Sequence, residues 1–179
     1  MAVGRPYCVV YPLLRNKKQK NLVPNPCIFW VHSLALKKRI SRLEAQGMVI
    51  KFQDRLHDDL QAREILRAQH ERYTHLRWNM LSEEHKTYVL YVVYLCCVQS
   101  MFVVVSINDF ILFLTISRAN GWLDAFETGI GGIRYSRTKE DNSGIKCLHA
   151  HYAHYCFNQD NLIGRWVEEE LARPLEPER

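Results

Sequence analysis

The stretch KCLHAHYAHYC, residues 146–156, places three histidines between two cysteines and decides how the C-terminal part of the chain folds. We predict a helix over about residues 145–156 and a further helix over about residues 162–172. We expect the helix over residues 145–156, the histidine helix, to complete the single domain that the N-terminal segments begin. Which of its cysteine and histidine side chains lie close together depends on its exact conformation.

The cysteine and histidine side chains of this stretch predict a metal site. In a helix, Cys147, His151 and His154 stand at i, i+4 and i+7 and share one stripe, whereas His149 points about 160° away from His151. In a strand, Cys147, His149 and His151 would share one face instead. Zinc accepts such donors in tetrahedral sites, and catalytic zinc sites keep an open position. The predicted cofactor is zinc or another transition metal, held by Cys147, His151 and His154.

The same side chains fit two other interpretations. His149, His151 and His154 are candidate catalytic residues for general acid–base chemistry, because histidine titrates near neutral pH. Cys147 beside them is a candidate activated thiolate. The spacing is not one of the established zinc patterns. A helix whose histidines are structural and hydrogen-bonded in the core therefore stays an alternative.

A glycine loop with basic neighbours precedes the histidine helix and predicts an anion site. The loop GIGGI lets backbone N–H groups approach an anion, although it matches neither a dinucleotide-binding nor a Walker pattern. The candidate anion-binding residues are Gly131, Gly132, Arg134, Lys146 and Arg165. A tight turn that permits close packing is the alternative. A pocket that combined this loop with the histidines would take a small anionic molecule.

The N-terminal third predicts a small β-hairpin followed by helices, so the expected fold class is α+β. YCVVYPLL and CIFWV are short, β-branched or aromatic runs bounded by proline, and the polar stretch RNKKQKNLVPNP joins them. Ser33 is predicted to cap a helix that ends at Gly47. The next stretch, MVIKF at residues 48–52, is predicted as a short strand.

The following segment predicts a surface helix over about residues 58–80. Its apolar positions recur at helical spacing and charged residues fill the rest. His70 and His75 lie among arginines and glutamates, and we expect both to be exposed. SEE at residues 82–84 is a fresh helix start.

Composition favours an intracellular, cytoplasmic protein. Six cysteines show no disulfide framework, and we expect no secretory signal. Glu44 is the single acid in the first 53 residues, so organelle import stays open. The net charge of +5 lies largely in two small clusters that are typical of solvated surface, so there is no specific nucleic-acid signal.

Several motifs, taken together, resemble one family. They are PNPCIFWVHSLALKKRISRLEAQG, LRAQHERYTHLRW, GIGGI, KCLHAHYAHY and DNLIGRWVEEEL, in this order. They resemble the domain of unknown function 501 (DUF501) family, a largely bacterial set of small proteins, over nearly the whole chain except roughly residues 87–118. KCLHAHYAH is the most specific part. The resemblance implies no established activity.

Two departures from the family pattern affect the site. Where the family tends to have Thr-Cys-Pro, this chain has His32-Ser33-Leu34, so a family cysteine is replaced unless Cys27 or His32 substitutes for it. The final Asn-Pro of the family is Asn161-Leu162 here, which removes a rigid turn.

An uncharged stretch interrupts the resemblance. Residues 88–107 have the length of a membrane span, and a shorter apolar run follows. A single crossing would place the family motifs on opposite sides of a bilayer, where they could not share a core. We therefore predict one domain over residues 1–175, interrupted by a hydrophobic insertion at about residues 87–118. Three interpretations stay open for this insertion: a buried element, a membrane-associating segment, or a translated intron.

Two main functions follow from these observations. The first is an intracellular enzyme, or a degenerate one, whose Cys/His pocket holds a transition metal and hydrolyses a phosphate-containing or other anionic small molecule. The second is a non-catalytic binding or scaffold module with structural histidines. A third is a membrane-associated adaptor that uses residues 88–117.

Overall fold

The computed structural model describes residues 6–15, 22–90, 128–133 and 144–173. The strands are β1 Tyr7–Val9, β2 Leu13–Arg15, β3 Leu22–Pro24 and β4 Phe29–Val31. The helices are α1 Leu34–Ala45, α2 Met48–Asp58, α3 Leu60–Asn79, α4 Leu148–Asn158 and α5 Leu162–Ala172, with a 3₁₀ turn at Ile130–Gly132. Residues 83–90 are also helical. The predicted α+β class is confirmed.

The four strands form one long, interrupted hairpin. β1 pairs antiparallel with β4, and β2 pairs antiparallel with β3 further out. LVP, which the sequence places in the connection, is therefore β3. Along β4 the side chains alternate as a pleated strand requires: Phe29 and Val31 are buried, whereas Trp30 is 49% exposed. This alternation puts Trp30 on the outer face.

The prediction for α1 is confirmed at both ends. The Ser33 hydroxyl accepts a hydrogen bond from the Leu36 N–H, which satisfies one donor of the first turn. Gly47 follows the helix with a φ of +77°, in the left-handed region that favours glycine.

The prediction of a strand over residues 48–52 is wrong, because these residues begin α2. Met48, Phe52 and Leu56 are all buried, and they recur every four residues. A strand would have placed Met48 and Phe52 on one face as well, so the five-residue window does not distinguish the two periods. Leu56 extends the pattern to a length that only the helix explains.

The helix predicted over about residues 58–80 is α3, and the Asp59 carboxylate caps it by accepting from the Ala62 N–H. His75 is exposed as predicted, but His70 is fully buried, so the prediction for His70 is wrong. His70 lies one turn after the buried Leu66, on the face that packs into the core. The arginines and glutamates beside it in sequence occupy other faces of the helix.

The core forms where α4 packs between α5 and the N-terminal hairpin. Trp166 of α5 is 2% exposed and meets Phe52 of α2 with ring centroids 5.5 Å apart. The guanidinium of Arg55 lies 4.0 Å from the centre of the same indole. Trp166 thus joins α2 to α5, as expected for a core tryptophan.

Most of the predicted insertion lies outside the described residues, and so does Trp122. Within the ranges that the structure does describe, no helix is both long enough and apolar enough to cross a membrane. Val89, near the end of the helical residues 83–90, is buried against Leu13 and Leu81. One domain over residues 1–175 stays a prediction.

Candidate metal and ligand site

A pocket of about 380 Å³ lies beside β4, α1 and the start of α4. Its walls combine polar or charged groups with apolar side chains. The lining residues are Cys27, Phe29, Trp30, Val31, Lys37, Ser41, Cys147, His149 and Ala150. Its volume falls within the range of small-molecule sites, roughly 300–1,000 Å³.

The N-terminus of α4 meets the last turns of α1 at the edge of this pocket. Cys147 is the residue before the first turn of α4, with extended backbone angles. Its neighbour Leu148 donates its N–H to Oε1 of Glu44, at 2.8 Å. Unpaired N–H groups make a helix N-terminus electropositive, so a carboxylate is stabilised there. Glu44 therefore fixes α4 to α1.

His149 has a hydrogen-bond acceptor at each ring nitrogen. Nδ1 lies 3.2 Å from Oε1 of Glu44, and Nε2 lies 3.2 Å from the carbonyl oxygen of Lys37. A neutral imidazole carries only one N–H, so it cannot donate to both. A hydrogen bond with Cys147 raises the pKa of His149 to about 9, and the Glu44 charge and the Lys37 carbonyl add to this against the opposing effect of burial. Without a metal, His149 is a cation at neutral pH.

Glu44, Cys147 and His149 form a group of three metal donors. One ligand atom from each lies within 4.8 Å of the other two. The ligand atoms of a tetrahedral zinc ion are separated by roughly 3.3–3.8 Å, as its bond lengths require. Carboxylate, thiolate and imidazole are all zinc ligands. Small side-chain movements would bring this group to zinc geometry.

The structure separates the predicted metal ligands. Cys147 lies at the pocket, whereas His151 and His154 are buried and do not line it. The reason is that Cys147 precedes the first helical turn, so the helical stripe does not continue through it. Among the described residues, the three-donor group within 4.8 Å is the one that contains His149.

The predicted catalytic histidines are likewise divided. His149 lines the pocket. His151 approaches Oδ1 of Asn161 through Nδ1 at 3.3 Å, and the amide nitrogen of Asn161 donates to Nδ1 of His154 at 3.1 Å. The His154 ring also stacks on Phe29 with centroids 5.2 Å apart. His151 thus lies at the junction of α4 and α5, and His154 lies there and also packs against β4.

The glycine loop packs tightly against α3. The N–H of Ile130 donates to Nδ1 of His70 at 3.0 Å. A Cβ on Gly129 would lie 2.4 Å from that same nitrogen, so only glycine permits this approach. Arg77 donates to the carbonyl oxygen of Thr128 at 2.9 Å. These contacts match the close-packing alternative for GIGGI.

The predicted anion-binding residues do not form one cluster in the described part of the chain. Gly131 and Gly132 have φ angles of +74° and +77°. Gly131 lies beside the start of α4, near the exposed Lys146, whereas Gly132 lies against Pro26. Arg165 lines a different pocket of about 140 Å³ that also contains Asp160. Arg134 lies outside the described residues.

Burial keeps the core histidines uncharged. Desolvation lowers the pKa of His70 and of His154 to about 4 each. Desolvation, and secondarily the nearby His70, lowers the pKa of His151 well below its usual value. At neutral pH these three imidazoles are therefore neutral core groups.

Cys27 is a further sulfur in the pocket, outside the three-donor group. Burial raises the pKa of its thiol, and the charge of Cys147 adds to this. His32, the other candidate replacement for the family cysteine, is exposed and does not line the pocket. Cys27 is thus the one of the two that shares the pocket with Cys147.

Sequence reasoning missed Glu44 as a site residue. Glu44 lies 103 positions before Cys147 in the chain, and only the packing of α1 on α4 brings the two together. One signal was present, because Glu44 is the lone acid among the first 53 residues. An isolated acid on an otherwise basic helix is a candidate for a specific partner.

The family of the chain follows from its sequence match. A match to the family described as Protein of unknown function (DUF501) covers residues 1–91 and 115–169. The chain therefore belongs to the DUF501 family. The gap in the match lies inside the predicted insertion, whose position is confirmed. No curated protein and no solved structure matches the chain significantly.

Proposed function

We propose that this protein binds a zinc-type metal ion through Glu44, Cys147 and His149 and uses it to bind the anionic group of a small molecule in the adjacent pocket. The observation that supports this most strongly is the 3.2 Å distance between Nδ1 of His149 and Oε1 of Glu44. Because Nε2 faces the Lys37 carbonyl, its proton belongs there. Once Nδ1 loses its own proton, it turns a lone pair toward a carboxylate oxygen.

Two lone pairs at this distance repel each other unless a positive charge lies between them. A proton on Nδ1 satisfies the pair in the metal-free protein. A metal ion satisfies it equally and would also bind the Cys147 sulfur, which interacts with the protonated His149 in the metal-free protein. Metal binding at such sites displaces ligand protons. The support for a metal site is that three donors of types that zinc accepts lie within 4.8 Å of one another.

The surroundings of the donors support metal binding as well. Metal-ligating histidines commonly donate their second N–H to a backbone carbonyl, which fixes the ring and the tautomer. The Lys37 carbonyl has this position relative to His149. Glu44 is held in the same way by the Leu148 N–H. Both ligands are thus oriented before an ion arrives.

Three protein ligands suit a reactive centre better than a purely structural one. Structural zinc sites use four protein ligands, whereas catalytic sites use three and keep one position open. A zinc ion so bound supplies Lewis acidity toward a carbonyl or phosphoryl group. Cys147 and His149 line the pocket, so an open position there serves a ligand from the pocket.

Zinc affinity of the full chain, produced without a histidine tag, tests this proposal. Competition against a chromophoric chelator should show one zinc ion per chain. We expect Glu44→Gln, Cys147→Ser and His149→Gln each to weaken zinc binding at least ~10-fold, as for losses around metal sites in general. Cys8→Ser and His75→Gln, at exposed positions, are matched controls that should leave affinity unchanged.

Thermal unfolding of each metal-free variant shows whether the substitution disturbs the fold itself. The proposal fails if the wild-type chain binds no zinc. It also fails if folded Glu44→Gln and Cys147→Ser bind zinc as tightly as the wild type.

A further inference from the structure

We infer that the ligand of this pocket is a small hydrophobic monocarboxylate, whose carboxylate meets the metal and Lys37 while its apolar body lies against Phe29, Trp30 and Val31. This inference rests on the proposed metal site and specifies its ligand class. It follows from the charges around the pocket and from the nature of its walls.

The charges favour a monoanion. The carboxylate of Glu44 and the thiolate of Cys147 together cancel the charge of a divalent ion, and His149 as a ligand is neutral. Lys37 then supplies the positive charge of the lining, and no arginine among the described residues joins it. Lys146 is exposed and does not line the pocket. One negative charge balances this set, whereas a phosphate dianion leaves an excess.

The walls favour an apolar body. Phe29 and Val31 line the pocket but are only 2% and 3% exposed, so they leave little surface for a ligand and Trp30 provides the accessible aromatic contact. Trp30 lines the same pocket while 49% of its surface stays exposed. Its indole N–H donates to the Cys27 carbonyl at 2.7 Å, which holds the ring in place. A fixed, solvent-exposed indole is a contact surface that a ligand covers at little entropic cost.

A matched set of probes separates the carboxylate from its rivals. Hexanoate, hexanamide and pentyl phosphate share a pentyl chain and differ in charge, and acetate retains only the carboxylate. Calorimetric titration of the zinc-loaded full chain should show hexanoate binding at least ~10-fold more tightly than acetate, because each buried methylene adds affinity. Hexanoate should also bind more tightly than hexanamide and pentyl phosphate.

Three variants assign the contacts. Lys37→Met should weaken hexanoate several-fold and leave hexanamide unchanged, because the backbone carbonyl that orients His149 remains. Lys38→Met, its exposed neighbour outside the pocket, is the matched control. Trp30→Ala should weaken hexanoate but not acetate.

The outcomes separate this inference from the proposed metal site. Tighter binding of pentyl phosphate than of hexanoate overturns the monocarboxylate class, and so does the absence of hexanoate binding to protein that holds one zinc ion. In both cases the metal site stands. If no zinc binds in the chelator competition, the metal site and the inference fall together.

Discussion

At the scale of single residues, the site depends on the position of His149 between Glu44 and Lys37. Both nitrogens of the ring face acceptors, at 3.2 Å each. The metal-free protein keeps a proton on each nitrogen, because the hydrogen bond with Cys147, and secondarily the Glu44 charge and the Lys37 carbonyl, raise the pKa of His149 to about 9. A metal ion must replace the proton on Nδ1. The Lys37 carbonyl therefore orients the ring for a metal, whereas the proton between Nδ1 and Glu44 competes with the metal.

The importance of Glu44 lies in the geometry of the site and not in the stability of the fold. Exposed ion pairs are worth little, about 0–1 kcal/mol, and its pair with His149 is partly exposed. Its value lies in geometry, because one oxygen meets both the Leu148 N–H and the His149 ring. A substitution that keeps the shape and removes the charge, Glu44→Gln, isolates the electrostatic part.

At the scale of elements, the crossing of α4 and α5 depends on Gly164. A Cβ at this position would lie 2.3 Å from Cβ of Tyr155 and 2.6 Å from the carbonyl oxygen of His151. Neither atom is the flexible end of a side chain, so the helices would have to separate. Asn161 caps α5 directly before this contact by accepting from the Gly164 N–H at 2.7 Å.

We predict that Gly164→Ala lowers the free energy of unfolding by about 2–4 kcal/mol, in the upper range for overpacked cores. Inside a helix alanine is otherwise preferred to glycine by about 1 kcal/mol, so the sign of the effect distinguishes packing from propensity. Urea denaturation of both proteins gives the difference.

Gly47→Ala is the control for this prediction. No atom lies within 4 Å of a Cβ there, and the cost comes only from its φ of +77°. That cost should be about 1–2 kcal/mol. A Gly164→Ala protein as stable as the wild type would contradict the close crossing.

Local patterns predicted much of the fold and less of the site. The ends of α1, the existence of α3, α4 and α5, and the hairpin all follow from capping residues and apolar spacing. The strand over residues 48–52 fails because its window is too short to separate two periods. His70 fails because the buried face of α3 is set by the glycine loop, about 60 positions away. Glu44 was missed for the same kind of reason, because its partner Cys147 lies 103 positions further along the chain.

The predicted site residues divide for a related reason. Sequence spacing assigns Cys147, His151 and His154 to one stripe only if the helix includes the cysteine. Its first helical residue is Leu148. A difference of one residue at a helix end is within the ordinary uncertainty of boundaries. Because the helix begins only after Cys147, the Cys147 side chain lies in the pocket beside His149 and not on the buried stripe with His151 and His154.

At the scale of the whole molecule, buried histidines connect elements that are distant in sequence. His70 of α3 accepts from Ile130 in the glycine loop, and its ring lies 5.9 Å from that of His151 in α4. His154 stacks on Phe29 of β4 and bonds Asn161 before α5. Because the rings are buried, protonating them is costly. The contacts that join α3, α4, α5 and β4 therefore require neutral imidazoles.

We predict that acid destabilises the protein between pH 6.5 and about 4. The unfolded chain binds protons on His70 and His154 near pH 6.5, whereas the folded pKa of each is about 4. The stability that the neutral histidines contribute is therefore fully present above pH 6.5 and is lost as the pH falls toward 4. Each group accounts for about 3 kcal/mol at the acid end. Urea titrations at several pH values measure this slope.

His154→Gln removes one of the three buried histidines whose pKa is lowered. The variant should show a shallower loss of stability between pH 6.5 and 4, whatever its stability at neutral pH. His75→Gln, at an exposed position of α3, should keep the wild-type slope. A wild-type free energy of unfolding that does not change across this interval would contradict neutral, buried histidines.

The absorption spectrum of the cobalt(II)-loaded protein tests the metal site most directly, because it reports both thiolate ligation and coordination geometry. We predict a thiolate-to-cobalt charge-transfer band and intense tetrahedral visible bands in the wild type. Cys147→Ser should abolish the charge-transfer band, and His149→Gln should alter the visible bands. His154→Gln should retain both. A spectrum without a thiolate band, or one that depends on His154 and not on His149, would contradict the assignment of Glu44, Cys147 and His149 as the ligands.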